Sequence, residues 1–140
     1  MIVGLGIDIE EVSRVRGAIE RYGEKFLKRV FTPHEIAYCN QTRNPYERFA
    51  ARFAAKEAGM KALGTGWRRG ITWRDFEVSH APGGRPILKM SGVALEIYGQ
   101  MGGTNIALSL THTANQAMAE VIIEGQEPAG ASGASGRPAS

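Results

Sequence analysis

A single cysteine, Cys39, excludes an internal disulfide from this 140-residue chain and agrees with a reducing, cytoplasmic setting. No apolar run approaches the ~18 residues that span a bilayer. Runs such as Val121-Ile122-Ile123 fall far short of it, and no membrane segment is expected. The opening MIVGLGIDI has no basic stretch ahead of an apolar one, so no secretion signal is expected from it. His34, His80 and His112 stand far apart, which leaves no Cys/His cluster of the zinc type. Gly64-Thr65-Gly66 falls short of a P-loop, which needs a longer glycine loop followed by lysine, and a helix stop is the plainer reading.

Charge of one sign is not in large excess either, with 17 Lys and Arg against 14 Asp and Glu for a net +3. The excess collects early, at Arg14, Arg16, Arg21, Lys25, Lys28 and Arg29, and such a patch favours an anionic partner. A nucleic acid, an anionic ligand and an acidic protein all remain open at this point. Hydrophobic residues at 43% and charged residues at 22% describe a globular chain. From Gly125 to Ser140 the composition turns to Gly, Ala, Ser and Pro, which cannot bury a core. We therefore expect one domain over residues 1–124 and a disordered tail over 125–140.

Period-two alternation predicts a strand over residues 1–9, with Val3, Leu5, Ile7 and Ile9 on one face and Ile2, Gly4, Gly6 and Asp8 on the other. Glycine inside a strand marks close approach by a backbone or a ligand. Val12, Val15, Ile19 and Tyr22 recur at helical spacing, with Gly23 placed to close the helix in a left-handed conformation. Thr32-Pro33-His34-Glu35 reads as a capped helix start, running to about Cys39. The strongest helix spans residues 46–63 and stops at Gly64. Tyr46, Phe49, Phe53, Met60 and Leu63 form its apolar stripe, Glu57 borders that stripe, and Ala51, Ala54, Ala55 and Ala58 make the opposite face small. Strands over 71–80 and 86–90 flank a turn, Ser91 caps a helix to about Tyr98 or Met101, and strands over 106–112 and 117–124 close the domain. Strand, helices and then hairpins in that order make an α+β fold.

Asp8 stands at the end of an apolar strand, where a charge is costly to bury unpaired, although it also fits a simple strand terminus. Glu57, four residues before Lys61, equally fits a helix pair worth about 0.3–0.5 kcal/mol. Taken together at the edges of apolar surfaces, the two carboxylates suit magnesium, which prefers oxygen ligands and completes its shell with water and substrate phosphates. His112, in phase with Leu108 and Leu110, reads as a partly buried, hydrogen-bonded histidine. His34 and His80 read as surface residues, and Cys39 as an unreactive helix residue.

Three stretches in order and in register resemble the signatures of the holo-acyl-carrier-protein synthases, the small bacterial 4'-phosphopantetheinyl transferases. They are Gly6-Ile7-Asp8-Ile9 with Glu11-Val12 and Arg14, Arg52-Phe53-Ala54-Ala55-Lys56-Glu57-Ala58 with Lys61-Ala62, and Leu108-Ser109-Leu110-Thr111-His112-Thr113. Phe31-Thr32 with Glu35, the Gly64-Thr65-Gly66 loop and Gly84-Arg85-Pro86 add smaller matches. The resemblance implies an α+β subunit with an antiparallel sheet and packed helices, one copy of the fold per chain, assembled as a homotrimer with sites between neighbours. It implies transfer of 4'-phosphopantetheine from coenzyme A to a serine of apo-acyl carrier protein, with release of 3',5'-ADP, in fatty acid biosynthesis.

Carried over residue by residue, Asp8 and Glu57 correspond to the magnesium ligands and Lys61 to a residue that holds the pyrophosphate. Arg52, His112 and Thr113 match positions near the adenosine and phosphate end of the coenzyme, and Gly64, Thr65, Gly66 and Pro86 line the same region. Arg14 and Arg21 would face the carrier protein, and Glu57 would take the serine proton directly or through a water. The competing class is a noncatalytic basic module that binds nucleic acid or another polyanion. Against it, the basic segment lacks interleaved aromatic residues, and the carboxylates of Asp8 and Glu57 would repel phosphates without a metal, so no nucleic-acid partner is expected.

Overall fold

The structure, a computed structural model, describes residues 1–67 and 70–126. Its elements run β1 (Ile2–Glu11), α1 (Val12–Tyr22), α2 (Glu24–Val30), α3 (Pro33–Cys39), α4 (Tyr46–Leu63), a single 3-10 turn (Trp73–Asp75), β2 (Phe76–His80), β3 (Pro86–Met90), α5 (Gly92–Gln100), β4 (Gly103–His112) and β5 (Gln116–Gly125). Two antiparallel sheets result, one three-stranded in the order β1-β5-β4 and one two-stranded from β2 and β3. The α+β expectation holds.

β1 keeps its period of two, and the glycine face is the one that turns inward. A Cβ at Gly4 would collide with the carbonyl oxygen of Ala62, and one at Gly6 with that of Ala58. The two glycines thus let the backbone of α4 lie directly on the strand. Ala54, Ala55 and Ala58 are fully buried in the core. The small face of α4 is therefore a core face, and because Phe49, Met60 and Leu63 are buried too, the helix is covered on most of its circumference. Asp8 does not end the strand, which continues to Glu11, so Asp8 is carried inward on the glycine face. The other face of β1 is left outward, with Leu5, Ile7 and Ile9 58%, 52% and 50% exposed.

Several local details differ from expectation for identifiable reasons. Gly23 closes α1 with φ +60° and ψ −137°, a positive φ outside the left-handed helical region, and α2 follows it at once. Glu24 in the first turn of α2 and Lys28 and Arg29 in its last turn suit the helix dipole. The segment 71–80 is not one strand, because Thr72 and Asp75 form a capping box that bends residues 73–75 into the 3-10 turn. Asp75 also accepts from the N–H of Ala94 at 3.3 Å, a role that Ser91 was expected to fill at the start of α5. β5 runs one residue past the expected domain edge, with Gly125 donating its N–H to the Met1 carbonyl at 2.9 Å. Beyond residue 126 the expected tail lies outside the described residues.

The capping box at Thr32 and Glu35 forms as expected, and Glu35 does more than cap. Its carboxylate lies 2.7 Å from Lys56 Nζ, and both side chains are wholly buried. Glu35 accepts from the N–H groups of Thr32 at 2.9 Å and Val78 at 2.7 Å, while Lys56 donates to the carbonyls of Trp73 and Phe76. Burial pushes Lys56 below its ordinary pKa, and Glu35 opposes that shift. The pair joins α3, α4, the 3-10 turn and β2. Lys56→Ala is expected to cost about 3–5 kcal/mol in urea unfolding, because it strands a buried carboxylate. The double change Lys56→Met, Glu35→Leu should recover part of that loss.

Candidate active site

Asp8 meets α4 near the end of that helix. Lys61 Nζ lies 3.1 Å from Asp8 Oδ1 and donates to the Ile7 carbonyl at 3.0 Å. Among the described ion pairs Lys61 partners Asp8 and not Glu57, so the helix-pair reading of Glu57 does not hold. The Asp8 side chain is only 11% exposed, and its second oxygen, Oδ2, is buried with no hydrogen-bond partner. An unpaired buried oxygen on a carboxylate is expensive, and in water such an atom takes a solvent molecule, an ion or a ligand.

Two further carboxylates converge on it. Glu10, two residues along the same face of β1, is pushed up to about 8 by burial, by the neighbouring Asp8 carboxylate and by the charge of Glu57, with Arg14 opposing. Glu57 is raised chiefly by burial and also by Asp8, against the Trp67 hydrogen bond and Lys61. The Trp67 indole N–H donates to Glu57 Oε2 at 3.3 Å. Without a cation, the cluster relieves its crowding by holding a proton. Among the described residues no three His, Cys, Asp or Glu side chains form a ready protein-only cage. A few carboxylates with positions left open is the arrangement magnesium uses with phosphate substrates. A cavity of about 270 Å³ beside the cluster has Glu10, Glu57 and Arg14 in its polar lining and Val15, Phe26 and Phe53 in its apolar lining.

A second group of expected residues forms around Arg52. Arg48 and Arg52 both lie over the Tyr38 ring, at 4.2 and 4.5 Å from its centroid, and Arg52 Nη2 is 3.4 Å from His80 Nε2. Arg52 is 4% exposed, and its Nε is buried without a partner. Neither arginine has a carboxylate partner among the described residues. His80 is half-buried against Tyr38, not the surface residue expected, and burial together with Arg52 and Arg48 lowers its pKa. Pro86 stands opposite His80 in the β2–β3 pair. Unpaired cations in a partly dry setting attract an anionic ligand.

A third group lies at the start of α4 and the end of β4. His112 is exposed, not partly buried, and its Nδ1 is 2.8 Å from Glu47 Oε1. Thr113 Oγ1 accepts from the N–H groups of Asn115 and Gln116, which shapes the β4–β5 turn. At the other end of α4, Gly64 and Gly66 have φ +75° and +65°, and the Thr65 hydroxyl donates to the Gly66 carbonyl at 3.2 Å. Glu47 and Glu57 are ten residues apart on α4, about 15 Å along the axis. Among the described residues no hydrogen bond or ion pair joins Asp8 or Glu57 to Arg52 or His112. The three groups of expected residues lie in separate places on the chain.

Arg14 and Arg21 are exposed on α1, seven residues apart and so on the same side of the helix. Beyond them Tyr22, Lys25, Phe26 and Arg29 line a cavity of about 540 Å³. Cys39 is buried, and burial pushes its thiol up to about 12, which makes it inert. Among the described residues no helix is long and apolar enough to cross a membrane.

Residues 4–119 match the family model described as the 4'-phosphopantetheinyl transferase superfamily. The chain belongs to that superfamily. Similar proteins include the holo-[acyl-carrier-protein] synthase of Solibacter usitatus (strain Ellin6076), 58% identical over 124 residues that cover 89% of this chain and 99% of that one. The synthase of Koribacter versatilis (strain Ellin345) is 54% identical with the same coverage. Among solved structures, the Neisseria meningitidis synthase superposes with a TM-score of 0.80 at 31% identity, covering 89% of this chain and 99% of that one. The Helicobacter pylori synthase, solved in complex with coenzyme A, superposes with a TM-score of 0.75 at 29% identity, covering 86% and 99%.

Membership in the transferase superfamily sets the noncatalytic basic module aside. Within this transferase, four residues of the site escaped the sequence: Glu10, Tyr38, Arg48 and Trp67. Glu10 was findable, since a strand of period two puts residues 8 and 10 on one face. Arg48 and Arg52 are one helical turn apart, a spacing that brings side chains together. Tyr38 and Trp67 reach the site only through tertiary packing.

Proposed function

We propose that this chain is a holo-acyl-carrier-protein synthase. It moves the 4'-phosphopantetheine group from coenzyme A to a serine of apo-acyl carrier protein, in the cytoplasm and in fatty acid biosynthesis. The observation that carries the site is Asp8, with one oxygen on Lys61 and the other buried and unpartnered beside Glu10 and Glu57. Asp8 and Glu57 would hold magnesium, and the donor set of oxygens with open positions fits that ion. When bound, magnesium supplies neutralisation of charge on the pyrophosphate.

The residues of the chain supply the remainder. The serine oxygen forms a bond to the phosphorus that carries pantetheine, the bond from that phosphorus to the bridging oxygen breaks, and 3',5'-ADP leaves with the electron pair. Glu57 takes the serine proton directly or through a water. Lys61 places a cation where negative charge grows. Arg52 with its neighbour Arg48, His112 and Thr113 hold the adenosine and phosphate end, with Gly64, Thr65, Gly66 and Pro86 along the same ligand.

Because these groups lie apart within one chain, the complete site belongs between copies, in a homotrimer. The outward apolar face of β1, which continues across Met118 and Ile122 of β5, supports such a partner. Arg14, Arg21 and the neighbouring cavity with Lys25 and Arg29 form the carrier dock. Chromatography of coenzyme A incubated with apo-carrier and Mg2+ should show 3',5'-ADP appearing only when the enzyme and both partners are present. Intact coenzyme A under those conditions would remove the proposal.

A proton consequence follows from Glu10. Its folded pKa of about 8 lies above the ordinary 4.5, so the folded chain binds this proton more tightly than the unfolded chain. The stabilisation is complete below the ordinary carboxylate range and is lost as pH rises toward about 8. With a chelator present, the melting temperature should fall across that window, and Glu10→Gln should flatten the fall. Mg2+ added near neutral pH should displace the proton, which calorimetry in buffers of different ionisation enthalpy reads directly.

A further inference from the structure

Glu57 is held by a side chain from outside its own helix. Trp67, in the loop after α4, donates its indole N–H to Glu57 Oε2 at 3.3 Å while remaining 42% exposed. The Trp67 ring does not stand alone. Here the surroundings are a ladder of rings: Trp67 lies 4.3 Å from Trp73, and Trp73 stacks on Phe53 at 4.9 Å and 22°. Phe76 meets Trp67 edge-on at 6.2 Å and 86°.

The ladder starts and ends on α4, because Phe53 is one helical turn before Glu57. It is also anchored in the middle, where the Trp73 carbonyl accepts from Lys56, the residue next to Glu57. The contacts with Trp73 and Phe76 hold the Trp67 ring beside Glu57. The N–H engages Oε2 and leaves Oε1 available to a cation. A donor that fixes one oxygen of a metal-binding carboxylate sets the direction of the other.

We propose that Trp67 is a positioning residue for Glu57, holding its carboxylate in the orientation that receives the divalent cation. The proposal rests on the reading of Glu57 as a magnesium ligand. Trp67→Phe retains a ring in the ladder and removes the donor together with part of a side chain that is 42% exposed, so little packing is lost with the hydrogen bond. Calorimetric titration of the full-length protein with Mg2+ alone should show the dissociation constant rising about 10-fold or more over the unsubstituted protein. The melting temperature should be unchanged, and excess Mg2+ should restore the transfer rate, so that the defect lies in the Mg2+ requirement and not in kcat.

Equal Mg2+ affinity in the two proteins would overturn the proposal while leaving Glu57 as a ligand. A lowered melting temperature with a rate that Mg2+ does not restore would assign Trp67 to packing and also overturn it. If the unsubstituted protein fails to bind Mg2+ at all, the magnesium reading falls and the role of Trp67 falls with it. That outcome is distinguishable because neither protein then titrates.

Discussion

Asp8→Asn is expected to lower transfer of phosphopantetheine by about 10³-fold or more, the scale on which removing a key electrostatic contributor acts, without lowering the melting temperature. The two halves of that expectation have separate causes. Asparagine keeps the shape and can still accept from Lys61, but it takes away a charged ligand. The ion pair it weakens has a half-exposed partner in Lys61, and such pairs contribute little to stability. Removing one of three neighbouring carboxylates also relieves the repulsion that Asp8 imposes on Glu10. Glu57→Gln should behave likewise, with the Trp67 contact retained because the amide oxygen still accepts. Steady-state rates and thermal melts on the same preparations check both halves. Full activity that still requires Mg2+ would remove these residues as ligands.

Leu5→Asp should produce the second large effect, dissociation into single chains with loss of transfer. Leu5 is 58% exposed in one chain and stands opposite Ile122, which in turn faces Ala107 on β4. A charge there costs an isolated chain little. Covered by a second copy, it becomes an unpaired buried charge worth about 3–5 kcal/mol per contact. Light scattering should therefore report a fall from three chains to one while far-UV circular dichroism is unchanged. Leu5 does not contact the Asp8 cluster, so a lost rate would follow from the lost neighbour. A monomer that retains the full rate would contradict the placement of the site between copies.

How far the sequence spoke can be seen in particular residues. The boundaries of α1, α3 and α4 were legible because their signals are local: Gly23 after Tyr22, the Thr32–Glu35 box, and Gly64 after Leu63. Glycine inside β1 also announced its close approach, since the Cβ that Gly6 lacks would occupy the Ala58 carbonyl. The 3-10 turn at Trp73–Asp75 was not legible as such, because β-branched and aromatic residues there mimic a strand until Asp75 reaches back to Thr72. α2 was hidden by its length of seven residues and its many cations.

The candidate site followed the same rule. Asp8, Glu57 and Lys61 were named from sequence and are brought together, because β1 and α4 are long neighbouring elements. His112 was expected to be partly buried and hydrogen-bonded; it is hydrogen-bonded, to Glu47, but exposed, since alternation along β4 says which residues share a face but not which face is covered. Tyr38 and Trp67 join the site through stacking across segments far apart in the chain. No periodicity reports such contacts.

Loading of a carrier protein by this chain is read most directly from the intact mass of that carrier. Apo-acyl carrier protein incubated with coenzyme A, Mg2+ and the enzyme should gain one phosphopantetheine per chain, and the gain should vanish with a chelator or with a carrier whose acceptor serine is alanine. A carrier mass that stays at its apo value with all components present would contradict the account.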